Sequence, residues 1–149
     1  DSNIFIHDLY FKNDKNKENI KVFKIHPWKQ LIKNYISPPT LMIRKNIKIK
    51  FDDQVRFMED QKFGFECLLS KESMIFSNEK LTRIHKMRYG FGGLSKYMFL
   101  MQKHEIYNYI FLLRKKYINL FLFLLLAIKS YLAFLKRLVF CYLIKIKNN

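Results

Sequence analysis

Apolar and polar positions change rhythm several times along this chain, and each change marks an element. Ile4 to Phe11 is dense in apolar and aromatic residues, the composition of a strand. The run Lys12-Asn13-Asp14-Lys15-Asn16-Lys17 is too polar to continue it and reads as a hairpin loop. Ile20-Lys21-Val22-Phe23-Lys24-Ile25 then returns as a second strand. His26-Pro27-Trp28 opens a short helix through Asn34, since Pro suits the first helical turn, and Ser37-Pro38-Pro39 breaks it. Thr40 to Ile43 predicts a third strand whose β-branched and apolar residues suit a buried sheet position. Phe63, Cys67 and Leu68 recur at helical spacing, which predicts a helix over Glu59 to Leu69. Met74 to Phe76 gives a further strand, and a Gly-containing loop follows His85. The expectation is a mixed α/β region over residues 1–105.

A different pattern governs residues 106–149. Tyr117 to Ile128 is almost wholly apolar, but Lys129 ends the run short of the roughly 18 residues a spanning helix needs. At about 100° per residue, Lys115, Lys116, Lys129, Lys136, Arg137, Lys145 and Lys147 fall within one half of the helical wheel. Leu120, Phe121, Leu124, Ile128, Tyr131, Leu135, Leu138, Val139 and Tyr142 collect on the other side. An apolar face beside a basic one is the pattern of a helix lying in a membrane interface and drawn to anionic lipid. The competing use of that pattern is a helix or helix pair that packs its apolar side on the domain or on a second copy.

Charge sharpens this division. The chain has 149 residues and a net charge of +16, which invites comparison with polyanion binders. All the acids lie at or before Glu105, so the eight Lys and Arg that follow carry half of that net charge. The remaining bases are scattered among acids, Asn, Ile and Phe, a distribution that gives no reason to expect a nucleic-acid partner. Cys67 and Cys141 are too few for a disulfide scaffold, and the four His lack metal-knuckle spacing. No repeat, Ser-His-Asp context or Gly-rich phosphate loop is present, nor a signal-like apolar segment at the start of these residues.

Glu59-Asp60 is the acidic pair with the clearest chemical use. Standing at the start of a helix, its carboxylates are favoured in the ionised form by the helix dipole, and one held so can act as a general base. Acids also enrich the first turns of helices with no chemistry attached.

The order of segments around the pair resembles a known family. Ile36-Ser37-Pro38-Pro39-Thr40-Leu41-Met42-Ile43-Arg44-Lys45 runs from a turn into a short strand closed by bases. Ile49-Lys50-Phe51 and then Glu59-Asp60 follow, and after Met74-Ile75-Phe76 comes Ile84-His85-Lys86-Met87-Arg88-Tyr89-Gly90-Phe91-Gly92-Gly93-Leu94-Ser95. The succession resembles the second half of family 2 glycosyltransferases, especially bacterial enzymes that build capsule, O-antigen and lipooligosaccharide sugars. The likeness covers roughly Asn3 to Lys103 and rests on order and spacing, not on one motif.

That resemblance implies the acceptor side of a GT-A fold and glycosyl transfer with inversion. Asp60 matches the family's base, and Glu59 would cap the turn or orient a sugar hydroxyl. His85 and Arg88 would meet the donor diphosphate, while Arg44 and Trp28 are candidates for the acceptor site. Against these stand plainer roles: a solvated basic loop for His85 and Arg88, a structural strand end for Arg44, and core or helix packing for Trp28. The family binds a nucleotide-diphospho-sugar in an N-terminal half whose Asp-x-Asp motif holds Mg or Mn, and no Asp-x-Asp occurs here. Asp52-Asp53 reads instead as a pair of solvated loop acids. The opening in strand-like sequence suggests a chain separated from its start, with donor binding left to a missing part. The implied partners are that donor, a glycan or lipid-linked acceptor and an anionic membrane surface, at the cytoplasmic face of the inner membrane. Two other classes remain: a non-catalytic remnant of the family, and a basic module that binds membrane surfaces or nucleic acid.

Overall fold

The structure is a computed structural model that describes residues 2–11, 19–85 and 97–147, with the side chains of 10, 11 and 143–147 excepted. It divides into two compact units, Asp1–Lys86 and Met87–Asn149.

The first unit is mixed α/β. Its elements are β1 (Ile4–Phe11), β2 (Val22–Lys24), α1 (Pro27–Ile32), a 3-10 turn at Pro38–Thr40, β3 (Leu41–Ile43), α2 (Glu59–Leu69) and β4 (Met74–Ile84). The sheet order is β2-β4-β1-β3, with β1 and β4 parallel and the outer strands antiparallel to their neighbours. Two expectations are corrected by this order. First, β1 and β2 do not form a hairpin, because β4 lies between them. β4 continues eight residues beyond Phe76, through a polar and apolar alternation that reads weakly as strand, and so pairs along the whole of β1. β2 takes the other edge of β4, with Phe23 opposite Phe76. The expected loop at 12–17 lies outside the described residues, as does the Gly-containing stretch after His85. Second, β3 is an outer strand, with Met42 and Ile43 exposed, since only β1 flanks it.

The register of β1 against β4 shifts on both sides of Asp8, where β2 stops pairing. Asn78 fills that interruption: its Oδ1 accepts from Lys21 N at 2.6 Å and its Nδ2 donates to Asn19 O at 3.0 Å. Asn78 thus ties the segment before β2 to β4 where the regular pairing of β2 ends.

Ile4 and Ile6 of β1, Met74 and Phe76 of β4, Leu31 and Ile36 around α1, and Phe63, Cys67 and Leu68 of α2 are buried and form the core. Burying each of the larger ones stabilises the fold by about 1.5–3 kcal/mol. Burial first, then the nearby Glu72 and Glu66, pushes the Cys67 thiol up to about 12, so it remains protonated and packs as a small apolar group.

The second unit is a helical hairpin of α3 (Met98–Arg114) and α4 (Leu120–Lys147). α3 runs unbroken across residue 105, where the composition changes. Its end is closed by Lys116 at φ 55°, with Lys116 N donating to Leu113 O and Tyr117 N to Leu112 O. Asn119 then starts α4, its Oδ1 accepting from Leu122 N at 2.8 Å. Arg114, Lys115 and Lys116 stand where the dipole of α3 favours cations. Among the described residues, no helix is long and apolar enough to cross a membrane.

Candidate functional site

α2 begins with Glu59 and Asp60 in its first turn, as the sequence predicts. The turn is set by the segment before it. Phe51 stacks on Phe63 with ring centroids 4.6 Å apart and planes 8° from parallel. Asp52 pairs with Lys62, one turn into the helix, and also accepts from Gln54 N at 2.9 Å. Lys62 first and then Gln54 hold the Asp52 carboxyl below the usual range. Asp52 is therefore a clasp between loop and helix as well as a surface acid. Between these anchors, Met58 turns the chain at φ 55°, a left-handed geometry that costs a non-glycine residue roughly 1–2 kcal/mol. Packing of Phe51 and the Asp52 clasp offset that strain and fix where Asp60 stands.

Asp60 is held from both sides. Its Oδ1 accepts from Gln61 N at 2.8 Å and its Oδ2 from Asn34 Nδ2 at 2.9 Å. Asn34 is oriented in turn, because its Oδ1 accepts from Ile36 N at 3.1 Å and from Gln30 Nε2 at 3.2 Å. With the oxygen occupied, only the amide nitrogen can face the carboxylate. Gln30 is fully buried, and its Oε1 accepts from Tyr35 N at 3.3 Å. Gly64 makes room for this arrangement, since a Cβ there would run into Gln30 Nε2 and stand 3.0 Å from Ile36 Cδ1.

Burial raises the Asp60 pKa to about 6, and the charge of Glu59 adds to the rise against the hydrogen bonds from Gln61 and Asn34. A carboxyl so tuned is mostly ionised at neutral pH yet basic enough to take a proton, the range in which general bases work. Backbone N–H groups and the Asn34 amide hold the carboxylate, and the lone pairs they leave can accept from a substrate hydroxyl.

The other candidates fall at different levels. Asn34 meets Asp60 and Gln30 meets Gly64, so α1 and α2 run antiparallel. Trp28, in the first turn of α1, therefore lies at a different level from Asp60. Trp28 is 54% exposed, so it is not part of the core. Arg44 N donates to Asn3 O at 2.9 Å, at the end of the sheet where α2 finishes, and so is far from the first turn of α2. An open cavity of about 360 Å³ lies at that same end, among Asn3, Lys48 and Glu72. His85 is exposed just beyond Ile84, at the opposite end of the sheet. Neither His85, Arg44 nor Trp28 is among the groups acting on Asp60. Arg88 lies outside the described residues. Among the described residues, no three His, Cys, Asp or Glu side chains group as ligands for the implied divalent ion.

Sequence reading missed Asn34, Gln30 and Gly64. The signal was present in part: a lone glycine in a helical run marks a close approach. Compared with family models, with curated proteins and with solved structures, the chain matches none.

Proposed function

We propose that this chain is the acceptor-side part of an inverting glycosyltransferase of GT-A type, similar to family 2 enzymes of cell-surface polysaccharide synthesis. The observation that carries the reading is Asp60: a carboxyl at a helix start, oriented by Asn34 through Gln30, with a pKa of about 6. The mixed sheet and the ordered segments around the pair support it.

In this reading an acceptor hydroxyl attacks the anomeric carbon of a nucleotide-diphospho-sugar from the face opposite the leaving group. Asp60 takes the hydroxyl proton as the new carbon–oxygen bond forms, and the bond to the diphosphate breaks with its electron pair. Inversion follows from the single displacement. Glu59 raises the basicity of Asp60 by its charge and is placed to accept from a sugar hydroxyl. Trp28, exposed on α1, suits stacking on a more distant sugar of the acceptor. Arg88 as a cation, and His85 as a hydrogen-bond donor, suit contact with the departing diphosphate. Arg44 stands apart from this group. The donor and its divalent ion belong to a donor-binding half with an Asp-x-Asp motif.

The acceptor is a glycan carried on lipid, which places the reaction peripherally at an anionic membrane, on the cytoplasmic face of the inner membrane. The test is transfer by the chain joined to a donor-binding half, with nucleotide sugars and a lipid-linked acceptor. An inverted anomeric product, read by NMR coupling, is expected; a retained anomer or hydrolysis alone overturns the reading.

A further inference from the structure

The helical hairpin buries a partly polar stripe of α4 and leaves a broader apolar one exposed. α3 packs on the stripe of α4 that carries Leu126, Ser130 and Phe134, all buried. Polar pairs occupy this seam. Gln102 Nε2 donates to Ser130 Oγ at 2.8 Å, Tyr109 OH to Glu105 Oε1 at 3.2 Å, and Arg137 Nη2 to Glu105 Oε2 at 3.4 Å. On the far side of α4, Phe121 is 69% exposed, and Ile128, Leu132, Leu135 and Val139 are exposed with it. A hairpin whose outer face meets water has the opposite arrangement, with its widest apolar stripe turned inward. The apolar half of the wheel is therefore not the half that packs on α3.

Charge decides what covers that face. After Glu79 the sequence has a single acid, Glu105, and the structure turns it inward to Arg137, leaving it 8% exposed. The outer surface of the described hairpin bears cations alone. A second copy would bring the same net positive charge, whereas an anionic lipid surface brings its complement. Lys129 and Lys136, seven residues apart and both exposed, flank the apolar face on one side, and their stems let the ammonium groups reach headgroups while the face lies deeper. Tyr131 and Tyr142, also exposed, have the amphipathic rings that favour a lipid interface.

We propose that the hairpin docks flat on an anionic lipid surface through the Phe121, Ile128, Leu132, Leu135 and Val139 face of α4, its Glu105–Arg137 and Gln102–Ser130 seam staying closed. This deepens the membrane part of the proposed function and rests on it, but not on the chemistry of Asp60.

The experiment uses the whole chain with Trp28→Phe, and a tryptophan introduced by Leu132→Trp on the outer face or Phe134→Trp in the seam. Each is mixed with vesicles of phosphatidylglycerol and phosphatidylcholine whose acyl chains carry bromine. The expected result is strong quenching at position 132 and little at position 134, with little binding to pure phosphatidylcholine. Equal quenching at the two positions, quenching at neither, or a lipid-free dimer that buries position 132 and ignores vesicles would overturn the proposal. Should Phe134→Trp fail to fold, a second pair serves. Lys129→Gln with Lys136→Gln is expected to weaken binding about thirtyfold, two bases at such a surface, with helicity unchanged. Unaltered binding of that folded double variant would equally overturn it. Sugar transfer is not read, so a failure here leaves the role of Asp60 standing, and a failure there leaves the docking face standing.

Discussion

Asn34 and Asp60, 26 residues apart, are joined by a 2.9 Å hydrogen bond that ties the segment just after α1 to the first turn of α2. The bond stabilises the ionised carboxylate, but burial wins and leaves the pKa at about 6, above the ordinary 3.8. A raised carboxyl pKa means that the folded chain binds more protons than the unfolded one between roughly pH 4 and 6. Its stabilising contribution is complete below the unfolded pKa and is lost as pH rises through about 6. Asp60→Asn removes that dependence. The stability difference between variant and parent should therefore move in the variant's favour across this window, by roughly 3 kcal/mol at most for about two pKa units. Chemical denaturation at several pH values, with a carboxyl NMR titration of Asp60, checks both. A midpoint near 4 would contradict the burial argument.

Asn34→Ala separates the hydrogen bond from the burial. Without the amide the carboxylate loses a donor, so its pKa should rise further above 6. Asp60, Gln30 Nε2 and Ile36 N are each left one partner short, which should lower stability at neutral pH by about 1–3 kcal/mol. The same titration reads the first effect and urea denaturation the second.

Gly64→Ala tests the close approach. The added methyl meets a side-chain end that is normally able to move, but Gln30 is buried and holds Asn34 Oδ1 and Tyr35 N. Overpacking should cost about 1–3 kcal/mol, and the Asp60 titration should broaden or shift because Asn34 loses its support. A neutral substitution with an unchanged Asp60 titration would show that the network tolerates repacking.

In the helical unit, Leu126→Ala and Leu132→Ala should differ although both delete the same atoms from one helix. Leu126 is buried in the seam and its loss should cost about 2–4 kcal/mol of lipid-free stability; Leu132 is exposed, and its loss should cost within about 0.5 kcal/mol. Thermal melting followed by circular dichroism reads the contrast.

The elements with strong local signals were legible in the sequence. Glu59–Leu69 and Ile4–Phe11 form as the pattern predicts, because apolar spacing and a polar boundary settle each locally. Pairing was not legible: β4 between β1 and β2 depends on a strand whose second half, from Asn78 to Arg83, is largely polar and so reads as loop. The candidate site was legible as an acidic pair but not as a network, since Asn34, which orients Asp60, lies 26 residues away in the segment after α1. The wheel of α4 showed an apolar face and a basic one, but only the packing of α3 reveals which of them is covered.

Turnover in the chain joined to a donor-binding half tests the central claim most directly, comparing the parent with Asp60→Asn and Glu59→Gln. Asp60→Asn keeps the shape and the contact with Asn34 but cannot take a proton. It should lower kcat about a hundredfold or more with donor affinity little changed, the scale of a lost general base, while Glu59→Gln costs less. An Asp60→Asn enzyme that turns over at the parent's rate would contradict the account.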